Sequence, residues 1–417
     1  MPLFVQRLFY QLLLWLALPF IPLRLLLRGF KEHGYWRHVG ERFGFGGWLA
    51  KHAVWIHAVS VGEARAAAPL VEKFLSQNPP PSVLMTCMTP AGRATLEQLF
   101  GGRATVRYLP YDFAFAVRRF LNQIQPGVGV IMETELWPNL VRESRRAGFK
   151  LFLVNARMSE KSARGYRKLA TLTRETLGGF DAVAAQTRAD ADRLSALGAR
   201  KAVVTGNLKF DIDPPNEQLE LGRIFRDRSG NRPVWLAAST REGEEKLILE
   251  VFKKSAPENV LLMLVPRHPQ RFDEVAALAR NLGLDVQRRS ENEHVRASTR
   301  VWLGDSLGEM FAYYAAADCA LIGGSLLPYG GQNLIEACAA GCPVMLGPHT
   351  ENFKQAAEDA IAHGAAIRVA AADEWVVQAI RLNGDPGSLK KMGASGREFA
   401  AAHKGAAAKV CDLLCSR

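Results

Sequence analysis

The sequence predicts an α/β protein built from two open, doubly wound parallel-sheet domains with a cleft between them, preceded by a hydrophobic anchor helix. Three observations predict it. From Ala53 to Gly206, short apolar runs alternate with helical segments, the pattern of βαβ units and a parallel sheet. A charged stretch, DIDPPNEQLELGRIFRDRSGNRP (211–233), interrupts the alternation with no strand-like run. From Val234 the alternation starts again.

In chain order, the N-terminus reads MPLFVQRLFYQLLLWLALPFIPLRLLLRGFK. The uncharged run 8–23 falls short of the roughly 20 apolar residues of a full span. It carries no small-residue cleavage site, which argues against a removable signal peptide. Arg24, Arg28, Lys31, Arg37 and Arg42 follow it and keep the downstream body on the cytoplasmic side. The expectation is a retained anchor, either spanning or lying in the interface; the alternative is a buried core helix.

Strands are then expected at 53–60, 82–88, 105–110, 127–132, 150–157, 180–186 and 202–206, with helices between. Residues 211–233 carry Pro214-Pro215 and Gly230 and read as a connection containing a short helix. Strands resume at 234–239, 259–266, 284–289, 299–304, 319–325, 343–347 and 365–370. The divisions are an anchor with its basic flank (1–45), a first domain (46–212), a connection (213–232) and a second domain (233–417) whose last helix can cross back to the first.

A chain of 417 residues, 48% hydrophobic and 23% charged, can bury a large core. Its net charge of +12 points to an anionic partner: nucleic acid, a membrane surface or a phosphorylated ligand. No basic arm or aromatic-rich β-motif supports nucleic acid. Six cysteines include two C-x-x-x-C pairs within apolar runs, which read as buried reduced thiols rather than metal ligands.

The stretch 321–348, LIGGSLLPYGGQNLIEACAAGCPVMLGP, joins a strand, a glycine-rich turn and a helix expected from Gln332. A helix start beside glycines is an anion site, making Ser325, Gly330 and Gly331 a candidate phosphate turn. Glu336, one turn into that helix, suits a sugar hydroxyl better than a phosphate. An ordinary strand–helix connection is the alternative. No Gly-Lys-Ser/Thr follows, so this is not a P-loop, and no serine sits in a G-x-S-x-G elbow.

In open α/β sheets, ligands bind beyond the carboxyl ends of the strands. Glu63, Glu133, Asn207, Arg267, Glu309 and Ser325 share that address. Glu63 is either a helix N-terminal charge or a general base for a hydroxyl. Glu133 and Glu135 offer further carboxylates. Lys209 is either solvated or neutralises developing negative charge. Arg267 has a guanidinium suited to phosphate, with His268 beside it between prolines. Asp305 and Ser306 read as helix caps. The two D-x-D strings, at 190–192 and 211–213, make no convincing metal site.

Taken together, HAVSVGE (57–63), MTCMTPAGR (85–93), YLPYD (108–112), IMETELWPN (131–139), NARMS (155–159), TGNLKFD (205–211), VPRHPQRF (265–272) and GGQNLIEACAAGCPVMLGPHTENF (330–353) closely resemble the 3-deoxy-D-manno-octulosonic acid (Kdo) transferases over nearly the whole chain. The resemblance implies a GT-B glycosyltransferase: a Rossmann-like acceptor-binding domain, then a Rossmann-like CMP-sugar-binding domain. It implies inverting, metal-independent transfer from CMP-Kdo to the lipid A precursor, a tetraacyl-disaccharide bisphosphate, with no cofactor and no nucleic-acid partner. By motif, Glu63 would be the base and Glu133 and Lys209 transition-state stabilisers. CMP would contact Arg267, His268, Leu307, Gly308, Glu309, Asn333, Leu334, Ile335 and Glu336. The expected location is the cytoplasmic face of the Gram-negative inner membrane, among anionic lipids. Two alternatives stand beside this: a GT-B transferase using a UDP-sugar, and a non-catalytic module binding acidic lipids.

Overall fold

The computed structural model describes residues 2–47 and 51–415. They form two compact units, Met1–Asp211 with Lys404–Arg417, and Ile212–His403.

The first unit is built on β1 (Val54–His57), β2 (Val83–Cys87), β3 (Thr105–Tyr108), β4 (Val128–Met132), β5 (Lys150–Ala156), β6 (Ala182–Ala185) and β7 (Ala202–Val204). They pair in parallel in the order β3-β2-β1-β4-β5-β6-β7. Both faces are covered, which is why β1 and β2 read as continuous apolar runs instead of alternating ones. Val54 and Ile56 pack into the core that contains helix Val61–Leu75, whereas Trp55 packs with Phe120 and Leu140 on the other face. Helix Ala406–Cys415 completes the first core through Ala406, Val410 and Leu414. The N–H groups of Gly405 and Ala407 donate to Asp211 and hold that helix on this unit.

The second unit carries β8 (Val234–Thr240), β9 (Leu261–Pro266), β10 (Val286–Arg288), β11 (Val301–Leu303), β12 (Cys319–Ile322), β13 (Val344–Leu346) and β14 (Ala366–Arg368), in the order β10-β11-β9-β8-β12-β13-β14. Each run expected from the sequence contains one of these strands. Within 213–232, residues Asn216–Ser229 form a 14-residue helix belonging to this unit. Its Phe225 is fully buried and packs 5.2 Å, centroid to centroid, from both Trp302 and Tyr313. Strand order reverses between β1 and β4 and between β8 and β12, and such switch points leave a crevice at the carboxyl ends.

The N-terminal expectation of one anchor helix needs correction. Two helices, Leu3–Ala17 and Phe20–Lys31, meet at a bend, and the pair Leu3–Ala17 with Phe20–Phe30 is bent by 48°. Pro19 at the junction brings no backbone N–H. Among the described residues no single helix is long and apolar enough to cross a membrane. The buried residue of the first helix is Gln6: its Oε1 accepts from Leu172 N at 2.8 Å. Tyr10 donates to Asp112 at 2.7 Å and Gln11 to Asn139 at 2.6 Å, and Arg7 pairs with Glu175. Positions 6, 7, 10 and 11 share one helical face. The polar face is therefore turned inward, leaving Phe4, Leu8, Leu12, Trp15 and Leu16 exposed.

Candidate functional site

In the first unit the expected residues converge at the carboxyl ends of β1, β4 and β7. Glu63 lies in the first turn of helix Val61–Leu75, directly after β1. It is 9% exposed, and its Oε2 accepts the Val59 N–H at 2.8 Å. Burial pushes its carboxyl up to about 8; the Val59 N–H opposes this, Glu133 and Glu135 add to it, and Lys209 opposes it. Desolvation favours the neutral acid, so Glu63 sits near the value useful to a general base at neutral pH. Glu133 follows β4 with a φ of 56°, a left-handed backbone that a β-strand exit does not require of glutamate. Its carboxylate receives Lys209 Nζ at 3.0 Å. Lys209 is placed by two asparagines: Asn155 Oδ1 accepts Leu208 N at 3.0 Å, and Asn207 Oδ1 accepts Lys209 N at 3.0 Å. Asn155 also holds a φ of 55°. Glu135 accepts Trp137 Nε1 at 2.7 Å, and burial raises its carboxyl above the usual range.

In the second unit, β9, β8 and β12 are adjacent, so Arg267, Arg241 and Gly323-Gly324 emerge side by side. Burial lowers the His268 imidazole below its usual range, and Arg241, Arg267 and Arg271 lower it further, which marks a concentrated positive field. Gly323 is required by close approach, because a Cβ there would lie 2.4 Å from Ser239 O. Leu307 is 72% exposed, and Gly308 has a φ of 81° with open space around it. Glu309 precedes helix Met310–Ala316 and pairs with Arg289 at 3.0 Å.

Three expectations change here. The helix expected from Gln332 starts at Ile335. Asn333 Oδ1 accepts Ile335 N at 3.0 Å and its Nδ2 donates to Glu336 at 3.1 Å, so Glu336 sits in the first turn, not one turn in. The glycine turn is also not an open anion cradle. Glu244, fully buried, accepts Gly324 N at 2.6 Å, Leu326 N at 2.9 Å and Arg241 N at 2.8 Å. Ser325 donates to Ile322 O and accepts Gly347 N at 2.8 Å, while Gly331 N donates to Gly324 O at 2.7 Å. Gly330 and Gly331 supply positive φ, and the Gly330 carbonyl accepts Asn352 N. Glu244 thus takes the N–H groups on either side of Ser325, and the Gly331 N–H is held by the Gly324 carbonyl. Finally, Asp305 does not cap the next helix: it accepts from Ser290 N and Oγ at 2.8 and 2.6 Å.

Sequence reasoning missed Asn155, Arg241 and Glu244 as organisers of these sites. The last two sit in TREGEE after β8, a carboxyl-end address like the others. Among the described residues no three His, Cys, Asp or Glu side chains cluster as a metal centre would.

Comparison with known proteins identifies the family. The family model described as 3-Deoxy-D-manno-octulosonic-acid transferase (kdotransferase) matches residues 37–212. The 3-deoxy-D-manno-octulosonic acid transferase of Bordetella pertussis is 45% identical over 421 residues, covering 97% of this chain and 98% of that protein. Its Haemophilus influenzae counterpart is 35% identical over 417 residues, covering 98% of each. A glycosyltransferase from Rickettsia africae superposes with a TM-score of 0.60 at 14% identity, over 88% of this chain and 98% of that one, a likeness of fold alone. With near-full-length identity to the two transferases, the chain belongs to the 3-deoxy-D-manno-octulosonic acid transferase family and is a glycosyltransferase.

Proposed function

We propose that the chain transfers Kdo from CMP-Kdo to the phosphorylated, acylated lipid A precursor, with inversion and without a metal ion. The observation that carries the reading is the buried Glu63 carboxyl, pushed up to about 8, beside the Glu133–Lys209 pair. Glu63 takes the proton of the acceptor hydroxyl as that oxygen attacks the anomeric carbon. The bond from that carbon to the CMP phosphate oxygen breaks on the opposite face, and its electrons leave with CMP. One displacement inverts the centre and needs a single base. Lys209 and Glu133 steady the charge that develops beside the attacking oxygen.

On the second unit, Arg267 and His268 would hold the leaving phosphate in the field shared with Arg241. Leu307, Gly308 and Glu309 with Asn333, Leu334, Ile335 and Glu336 would hold the rest of CMP. The exposed apolar side of the N-terminal helices, followed by basic residues, supports residence on the cytoplasmic face of the Gram-negative inner membrane among anionic lipids.

Mass spectrometry of the product from purified protein, CMP-Kdo and the lipid acceptor tests the reaction; absence of any Kdo adduct defeats it. CMP is expected to raise the melting temperature and UDP to leave it unchanged, since only the donor nucleotide stabilises by mass action. The reverse result would favour a UDP-sugar transferase.

A further inference from the structure

Two neighbouring cavities in the first unit share the wall residues Pro138 and Thr176. One, of about 380 Å³, is lined by Tyr10, Leu136, Tyr166, Leu169 and Leu172 among others, within the roughly 300–1,000 Å³ of ligand pockets. Three hydroxyls on its wall donate within the protein, Tyr10 to Asp112, Thr173 to the Tyr166 carbonyl and Thr176 to the Leu172 carbonyl, and Ser162 Oγ accepts from Ser159. What this wall offers a ligand is mainly hydrocarbon. The second cavity, of about 290 Å³, is lined by Arg142, Arg145 and Arg146 together with Glu175, whose carboxylate is taken by Arg7, and shares Pro138 and Thr176 with the first. Arg142 and Arg146 lean on the buried Glu143, whereas Arg145 is exposed and pairs with no carboxylate among the described residues.

An apolar slot beside an arginine shelf fits a molecule with a hydrocarbon chain at one end and phosphate at the other. We propose that these neighbouring cavities seat the lipid acceptor, one acyl chain in the Tyr10–Tyr166 slot and a phosphate against Arg145. Position supports the acceptor over a bulk bilayer lipid. Leu136 of the slot lies between Glu135 and Trp137, whose side chains are hydrogen-bonded to each other at 2.7 Å. Leu136 therefore puts the wall of the slot on the same loop after β4 that carries Glu133 and Glu135. The inference rests on the acceptor named under the proposed function and adds where its chain and phosphate bind.

Gly165 also lines the slot, and a Cβ there would meet nothing within 4 Å, so Gly165→Trp can fill the slot without disturbing its backbone. Transfer is compared for the tetraacylated acceptor and its fully deacylated form, with melting temperature as a control on folding. The expected result is a fall of tenfold or more in the ratio of kcat/KM for acylated over deacylated acceptor, chiefly through KM. Arg145→Glu is expected to lower the preference for the phosphorylated over the dephosphorylated acceptor by fivefold or more. Ratios within twofold of the parent protein in both variants would overturn the assignment. So would loss of binding to phosphatidylglycerol vesicles with unchanged acceptor ratios, which would give the slot to a bilayer lipid. Native mass spectrometry of the acylated acceptor bound to the parent and to Gly165→Trp reads the site independently of turnover. If no Kdo is transferred yet Gly165→Trp still abolishes lipid binding, the proposed function fails and the slot stands.

Discussion

Glu63 experiences opposed forces, and their balance can be measured residue by residue. Burial and the neighbouring Glu133 raise its carboxyl, whereas Lys209 and the Val59 N–H lower it. In its proposed role as general base Glu63 must be ionised, so kcat/KM should climb with pH through a midpoint near 8. Glu133→Gln should move that midpoint down and Lys209→Met should move it up; shifts of the same sign would break the electrostatic account. Glu63→Gln should reduce kcat by about 10²–10⁴-fold, the usual contribution of a positioned base. A carboxyl raised on folding binds its proton more tightly in the native state, so stability declines between the unfolded value and about pH 8. The melting temperature of Glu63→Gln relative to the parent should therefore widen in the variant's favour from pH 5 to pH 8 and then stop widening. Glu63, Glu133 and Lys209 were legible because each follows a strand-like run. The left-handed backbone at Glu133 and Asn155 was not, since neither residue type announces it and the surrounding packing imposes it.

At the scale of elements, buried carboxylates act as ties between loops distant in sequence. Glu244 draws together the N–H groups of Arg241, Gly324 and Leu326. Glu244→Ala would leave those donors unanswered, at about 1–3 kcal/mol for a buried unmade bond. The expected outcome is a lower melting temperature together with a CMP-induced thermal shift at least halved, because Arg241 and the glycine turn lose a common anchor. A normal CMP shift would show that the turn holds its shape without it. The glycines and apolar runs announced a turn there. That Glu244 takes the Gly324 and Leu326 N–H groups of that turn could not be read locally, because Gly324 and Glu244 are 80 residues apart. The N-terminal helix teaches the same lesson: its hydrophobic run was plain, but Gln6 and Tyr10 find partners on helix Ala170–Leu177 and at Asp112.

For the molecule as a whole, the excess of positive charge and the arginine field around His268 bear on the proposed departure of CMP. If that field supplies the charge a metal would, activity should survive EDTA with less than a twofold loss; a large loss restored by Mg²⁺ would require a cation in the site. Strand positions, the division into two sheet units and the strand-end address of the polar residues were determined by the sequence itself, because periodicity and turn chemistry are written in neighbours. Only the tertiary structure decided that the N-terminal helix faces its polar side inward, that residues 406–415 close the first core, and that Glu244 occupies the glycine turn. In each, a polar or apolar group is matched by one far away along the chain, and the requirement that buried groups find partners selects it only once the sheets are assembled.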